Sequence, residues 1–376
     1  MIWWAVPAVY FAFLVVLVYR YNRRLPHLAA YAPRLTGPLV SVIIPARDEA
    51  ANIEACVRSV LATAYQPIEV IVVDDRSRDE TAAIVERIAR EPASGGRLTL
   101  LRGEDLPAGW FGKPWALIQG YRRARGALLL FADADTRHTP ELIPRTVAAL
   151  DAERVDLVTV LSRQEMLGFG ERLVQAHVLL ALAARAGDLR RMNRTRVLWD
   201  AIANGQFILT PRAAYDAVGT HAAVKDSVVE DLALAQTYVR HARDIFLVHG
   251  QEYMVTRMYS SLAGIVAGWS KNLATGVPLM LPPIPWLRRI APWLMWLPSL
   301  AWILPVVWLT TGSPAALATV VISLLVWVEI YWQEDAPLGY ALLFPLGALV
   351  VAYIMLRSAW RGSRKIEWKG RTYSAQ

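Results

Sequence analysis

Short apolar runs alternate along this chain with stretches of helical spacing, and the alternation predicts the elements. Leu39–Ile44, Ile68–Val73, Leu98–Leu101 and the run from Leu128 read as buried strands. Between them Ala51–Ala64, Thr81–Arg90 and Trp115–Arg125 carry helical periodicity. Strands that alternate with helices predict an α/β domain, a mostly parallel sheet covered on both faces, over residues 38–254. Further along, Leu142–Leu150, Leu173–Ala184 and Leu232–His241 read as helices, with strands at Leu157–Leu161 and Ala203–Leu209.

The two ends of the chain have another pattern. Residues 1–22 hold a nearly charge-free run from Ile2 to Tyr19, long enough to cross a bilayer, followed at once by Arg20, Arg23 and Arg24. That asymmetry predicts a retained anchor with the following domain in the cytoplasm. Residues 255–290 mix Tyr259, Trp269, Lys271, Pro282, Pro283 and Trp286 with aliphatics, as segments in a membrane interface do. Residues 291–357 contain three apolar segments near Pro292–Thr310, Ala315–Trp332 and Leu338–Leu356, and a basic tail follows at 358–376. Three full crossings would put that tail outside, against the positive-inside tendency, so one of them, or part of the Pro-rich region before them, is expected to be re-entrant. The expectation is a multi-pass protein of the cell (inner) membrane with its catalytic domain cytoplasmic.

Composition sharpens this division. Hydrophobic residues make up 55% of 376 positions and charged ones only 19%, too apolar for an ordinary soluble domain. The single cysteine, Cys56, excludes an internal disulfide framework and a cysteine-rich metal site. A formal charge of +8 lacks the basic stripe interleaved with aromatics that nucleic-acid binding requires, so no nucleic-acid partner is expected. Much of the excess flanks the apolar segments, as suits anionic headgroups.

The candidate chemistry lies where the strands end. The Leu128 strand runs into Asp133-Ala134-Asp135, two carboxylates that alternation can point the same way. Close carboxylates repel unless a cation or proton lies between them, and oxygen ligands of this type suit Mg²⁺ or Mn²⁺. The bland alternative is a polar strand end. Asp48 and Asp75 also follow strands, so four acidic groups are predicted to converge beyond the carboxyl edge, where such sheets bind ligands.

In order, Ser41–Glu49, Val72–Ser77, Gly112–Leu117, Asp133-Ala134-Asp135 and Glu230-Asp231 resemble the motifs of membrane-bound family 2 glycosyltransferases. The Gly109–Ala116 form, the anchor, the C-terminal helices and Glu367–Tyr373 resemble a narrower group that includes bacterial carotenoid and hopanoid-lipid glucosyltransferases. The resemblance implies a GT-A (Rossmann-like) fold and a metal-dependent, inverting hexosyltransferase. Its donor would be a nucleotide-sugar, by expectation a UDP-sugar. Its acceptor would be a lipid hydroxyl of carotenoid, hopanoid or glycerolipid type.

By the same resemblance Asp231 is the general base and Glu230 supports it. Pro45, Ala46, Glu49, Asp75, Lys113 and Asp133 bind the nucleotide-sugar, Asp135 and Asp133 hold the metal, and Asn204, Gly205, Gln206 and Trp269 border the acceptor. Where processive synthases of the family carry Gln-x-x-Arg-Trp, this chain reads Gly268-Trp269-Ser270-Lys271-Asn272, which favours one sugar on one lipid. Transfer to a polyprenyl phosphate is the alternative within the family. Outside it, Asp133-Ala134-Asp135-Thr136 also fits the aspartyl-phosphate loop of haloacid dehalogenase-like phosphatases, with Asp133 as nucleophile.

Overall fold

The structure is a computed structural model that describes residues 26–186 and 192–362, the backbone of 365–368 and 371–374, and positions 9, 10, 12 and 16. The predicted anchor at 1–22 otherwise lies outside the described residues, as do residues 187–191 and parts of the tail.

In chain order the α/β part comprises β1 Thr36–Ala46, α1 Ile53–Leu61, β2 Gln66–Asp74, α2 Thr81–Arg90, β3 Leu98–Arg102, α3 Gly112–Arg123 and β4 Leu128–Ala132. It continues through β5 Thr136–His138, α4 Leu142–Glu153, β6 Leu157–Leu161, β7 Arg163–Gln164, α5 Phe169–Ala186, β8 Phe207–Pro211, α6 Arg212–Ala217, α7 Glu230–Arg240, β9 Ile245–His249 and β10 Met254–Thr256. Seven strands form one sheet in the order β3-β2-β1-β4-β8-β6-β9. β1 pairs in parallel with β2 and β4, and β6 with β9, while β8 runs antiparallel to both neighbours. The expected mostly parallel sheet is therefore present, with one reversed strand that the apolar pattern does not reveal.

Strand alternation sorts the core into two layers. Val40, Val42 and Ile44 of β1 face a layer with Val57, Val85 and Val147, whereas Ile43 faces Leu117, Tyr215 and Tyr238 on the other side. These side chains are fully or almost fully buried, each worth about 1.5–3 kcal/mol for the large aliphatics. Burial on both faces explains why the runs read as continuous rather than alternating. A second, small sheet in the order β5-β10-β7 leads the chain from the carboxylate pair towards the apolar helices.

Those helices are α8 Leu262–Leu279, α9 Pro285–Leu294, α10 Leu300–Leu309, α11 Pro314–Gln333 and α12 Phe344–Arg361, and a hairpin β11 Lys365–Trp368 with β12 Arg371–Ser374 follows. Among the described residues three segments are long and apolar enough to cross a membrane: Pro285–Leu309, Pro314–Gln333 and Leu338–Arg361. The first starts earlier than the sequence pattern placed it. Pro285 opens α9 at a position where its missing N–H costs nothing, so the helical path begins inside the stretch read as interfacial. Tyr10 reaches this bundle, donating from its hydroxyl to Ala301 O at 3.0 Å.

Candidate active site

Carboxyl ends of β1, β2 and β4 open on one edge of the sheet, and a cavity of about 990 Å³ lies there. Its wall at β1 and β2 is clipped together by backbone. Asp75 N donates to Ala46 O at 2.8 Å, and Arg47 Nη1 donates to Asp75 O at 2.6 Å. Pro45, Ala46, Glu49 and Asp75, which the resemblance assigns to the nucleotide-sugar, line the cavity.

Asp48 does not line it. Its backbone turns left-handed (φ 52°), and its carboxylate accepts from Arg78 N at 2.7 Å, tying the loop after β1 to the loop after β2. Three of the four carboxylates expected on this rim, Asp75, Asp133 and Asp135, line the cavity, and Glu49 takes the place expected of Asp48 because the turn at Asp48 aims its side chain elsewhere.

Lys113, in the first turn of α3, is the electrostatic centre. Its Nζ lies 2.7 Å from Asp133 Oδ1 and 2.7 Å from Glu230 Oε1. All three line the cavity, with Lys113 and Asp133 the more open at 22% and 26% side-chain exposure and Glu230 the most enclosed at 8%. Burial pulls the ammonium down, but Asp133, Glu230 and Asp231 outweigh it and hold Lys113 well above the usual lysine range. Asp133 is raised by burial despite Lys113, and Asp135 is pushed up to about 7 by burial and by Asp133 and Glu49.

Asp231 opens α7. Its Oδ2 accepts from Gly205 N at 2.9 Å and its Oδ1 from Leu232 N at 2.7 Å. Burial and Glu230 raise it to about 6, with Lys113 and the two amides pulling the other way. Gly205 sits in the turn before β8, where Asn204 and Gln206 are held internally. Asn204 Nδ2 donates to Val160 O at 2.8 Å, and Gln206 Oε1 accepts from Ser162 Oγ at 2.6 Å. These two residues line the cavity yet use their polar atoms to fix the turn that aims the Gly205 amide.

Trp269 does not line the cavity. Its indole Nε1 donates to Gln175 Oε1 of α5 at 2.9 Å, and its ring packs edge-on to Tyr259 at 6.3 Å. A buried indole needs a partner for its N–H, and that need turns it away from the site. The wall facing the apolar helices is instead built from Tyr259, Lys271, Asn272 and Arg361. Lys271, lowered by burial to about 8, lies within the stretch Gly268–Asn272 that departs from the processive-synthase pattern. Arg361 is ninety positions further on, and sequence spacing offered no signal that joins them.

Among the described residues no group of three or more His, Cys, Asp or Glu side chains is arranged to hold a metal ion. Asp133 and Asp135 alone fit a hard cation that takes its other ligands from phosphate and water, the usual donor set for Mg²⁺. The phosphatase alternative finds no support: Asp133 follows the fourth strand of the chain and is salt-bridged to Lys113.

Comparison with known proteins agrees with this geometry. The family model described as glycosyl transferase family 2 matches residues 41–219. A 4,4'-diaponeurosporenoate glycosyltransferase from Staphylococcus aureus is 27% identical over 377 aligned residues, covering 94% of this chain and 93% of the relative. A mannosyltransferase from Pyrobaculum calidifontis, solved in complex with GDP-Man and Mn²⁺, aligns with a TM-score of 0.55 at 18% identity. The alignment covers 96% of this chain and 94% of that one. Residues 41–219 of this protein therefore form a family 2 glycosyltransferase domain, built on the GT-A fold.

Proposed function

We propose that this protein is an inverting glycosyltransferase that moves a sugar from a nucleotide-sugar, by preference a UDP-sugar, to a lipid hydroxyl at the cytoplasmic membrane face. The observation that carries the reading is one cavity lined by Lys113, the Asp133–Asp135 pair and Asp231, with apolar helices against its far wall. The carotenoid-type acceptor of the Staphylococcus aureus relative supports a lipid acceptor.

Asp75 and Glu49 offer acceptor oxygens to the nucleoside, and Lys113 supplies compact positive charge for the diphosphate. Asp133 and Asp135 would hold Mg²⁺ or Mn²⁺, which supplies charge neutralisation for the departing diphosphate. Asp231 takes the proton from the acceptor hydroxyl as that oxygen attacks the anomeric carbon. The bond to the diphosphate breaks in the same displacement, so configuration inverts and no covalent nucleophile is needed. Gly205 N and Glu230 hold and tune the base.

A panel of UDP-sugars with Mg²⁺ or Mn²⁺ and lipid extract tests this. The expected product is a glycolipid with inverted configuration, absent from Asp231→Asn. A product undiminished in that variant sinks the assignment of the base.

A second reading, transfer to a polyprenyl phosphate, is favoured by Lys271 and Arg361 on the acceptor wall. A phosphate nucleophile carries no proton to remove, so Asp231→Asn would then keep most of its activity while Lys271→Gln would lose it.

A further inference from the structure

Length and apolarity make the segment Leu338–Arg361 a candidate membrane span. Its contacts say otherwise. Just before it, Asp335 pairs with Arg163 of β7 at 3.3 Å, and Tyr331 at the end of α11 donates from its hydroxyl to Arg172 O at 2.9 Å. The Arg172 guanidinium also lies over the Tyr340 ring at 5.7 Å. At its other end, Arg357 Nη1 donates to Val266 O of α8 at 3.4 Å, and Arg361 lines the catalytic cavity. Arg163 and the cavity belong to one folded α/β domain. A water-soluble domain lies on one side of a bilayer, so a helix docked on it at both ends does not cross.

The faces of α12 fit that placement. Gly347, Val351, Ile354 and Met355 are buried, and a Cβ on Gly347 would lie 2.6 Å from Leu173 O, so α12 packs backbone-close against α5. The opposite side exposes Leu342, Leu346, Leu349, Tyr353, Leu356 and Trp360, spaced four and three residues apart along one stripe. Trp360, at 83% exposed, ends the stripe beside Arg357 and Arg361, an arrangement suited to headgroups.

We infer that α12 is a monotopic helix, its outer stripe sunk into the lipid leaflet beside the catalytic domain. The chain beyond Gly362 then leaves on the catalytic side. Among the described residues only Pro285–Leu309 and Pro314–Gln333 cross, as an out-and-back pair. This removes the conflict between three crossings and a basic tail carrying Arg364, Lys365, Lys369 and Arg371. It also places the cavity mouth at leaflet depth, with Arg361 at the boundary. The inference rests on the membrane-bound reading above.

The test uses the full chain in sealed cells, with a reporter fused after Gln376 and single cysteines read by a membrane-impermeant maleimide. Thr311→Cys is expected to label from outside. A C-terminal green fluorescent protein is expected to fluoresce, and a C-terminal alkaline phosphatase to stay inactive. Active phosphatase at the C-terminus overturns the inference while leaving the glycosyltransferase reading intact. Recovery of the protein in the soluble fraction overturns the membrane reading together with it. Leu349→Lys adds a second readout. A lysine on a helix lying in the interface reaches the headgroups, so the variant should appear in the membrane fraction at the wild-type level. At the centre of a spanning helix it would be strongly depleted.

Discussion

The Gly205 amide donates to Asp231 Oδ2 at 2.9 Å, an approach close enough that any side chain at 205 would push the carboxylate aside. A Cβ at position 205 would lie 2.9 Å from the same oxygen, 3.1 Å from Asp231 Cβ and 3.2 Å from Lys113 Nζ. The turn before β8 and the first turn of α7 thus define each other, and with them the position of the base.

Gly205→Ala follows directly. The added methyl displaces the carboxylate by a few tenths of an ångström or more while leaving both core layers untouched. Turnover is expected to fall roughly 10- to 100-fold, since small misplacements of a reacting group are that costly. Donor affinity, read by nucleotide titration, should change much less. Equal losses in both would mean that the turn, and not the base, had failed.

Asp231 also sets a pH dependence. A general base works only when deprotonated, and burial with Glu230 holds this carboxyl up at about 6. Activity at low substrate is therefore expected to rise as pH increases through about 6 and to be lost below it. The Asp231→Asn variant should lose activity by roughly 100-fold or more and lose that acidic limb as well. A pH–rate profile of kcat/KM for both proteins checks the pair of outcomes.

Much of this arrangement was legible in the sequence because strand ends are easy to read. A buried apolar run that stops at Asp133 or Asp75 fixes which edge of the sheet carries the carboxylate, whatever the order of the strands. The direction of β8 was not legible, since a short run after Asn204-Gly205-Gln206 reads the same either way. Asp48 misled because alternation stops at a left-handed residue, and the next side chain, Glu49, turns inward instead. Trp269 misled because its N–H found Gln175, a partner ninety-four positions away. Lys271 and Arg361 share a wall only through the packing of α8 on α12, which no local pattern encodes.

Lys113 bridges Asp133 and Glu230, so removing it leaves two poorly solvated carboxylates without their cation. Lys113→Met is expected to destabilise the fold by about 3 kcal/mol and to abolish donor binding. Lys113→Arg should restore little, because a planar guanidinium does not replace a compact ammonium between two oxygens. Thermal unfolding with and without nucleotide-sugar measures both effects. Full donor affinity in the Arg variant would show that charge alone suffices there.

Chelation distinguishes the two kinds of carboxylate on the rim. EDTA is expected to abolish transfer, with Mg²⁺ or Mn²⁺ restoring it. Asp135→Asn should then raise the metal concentration needed for half-activity by roughly 10-fold or more, as losing one of two charged protein ligands weakens a hard-cation site. Asp48→Asn should leave the metal requirement unchanged, because its side chain caps the Arg78 amide outside the cavity. Metal-activation curves for the three proteins decide the matter. If Asp48→Asn shifted its curve as far as Asp135→Asn, the loop clamp rather than the Asp133–Asp135 pair would be governing the site.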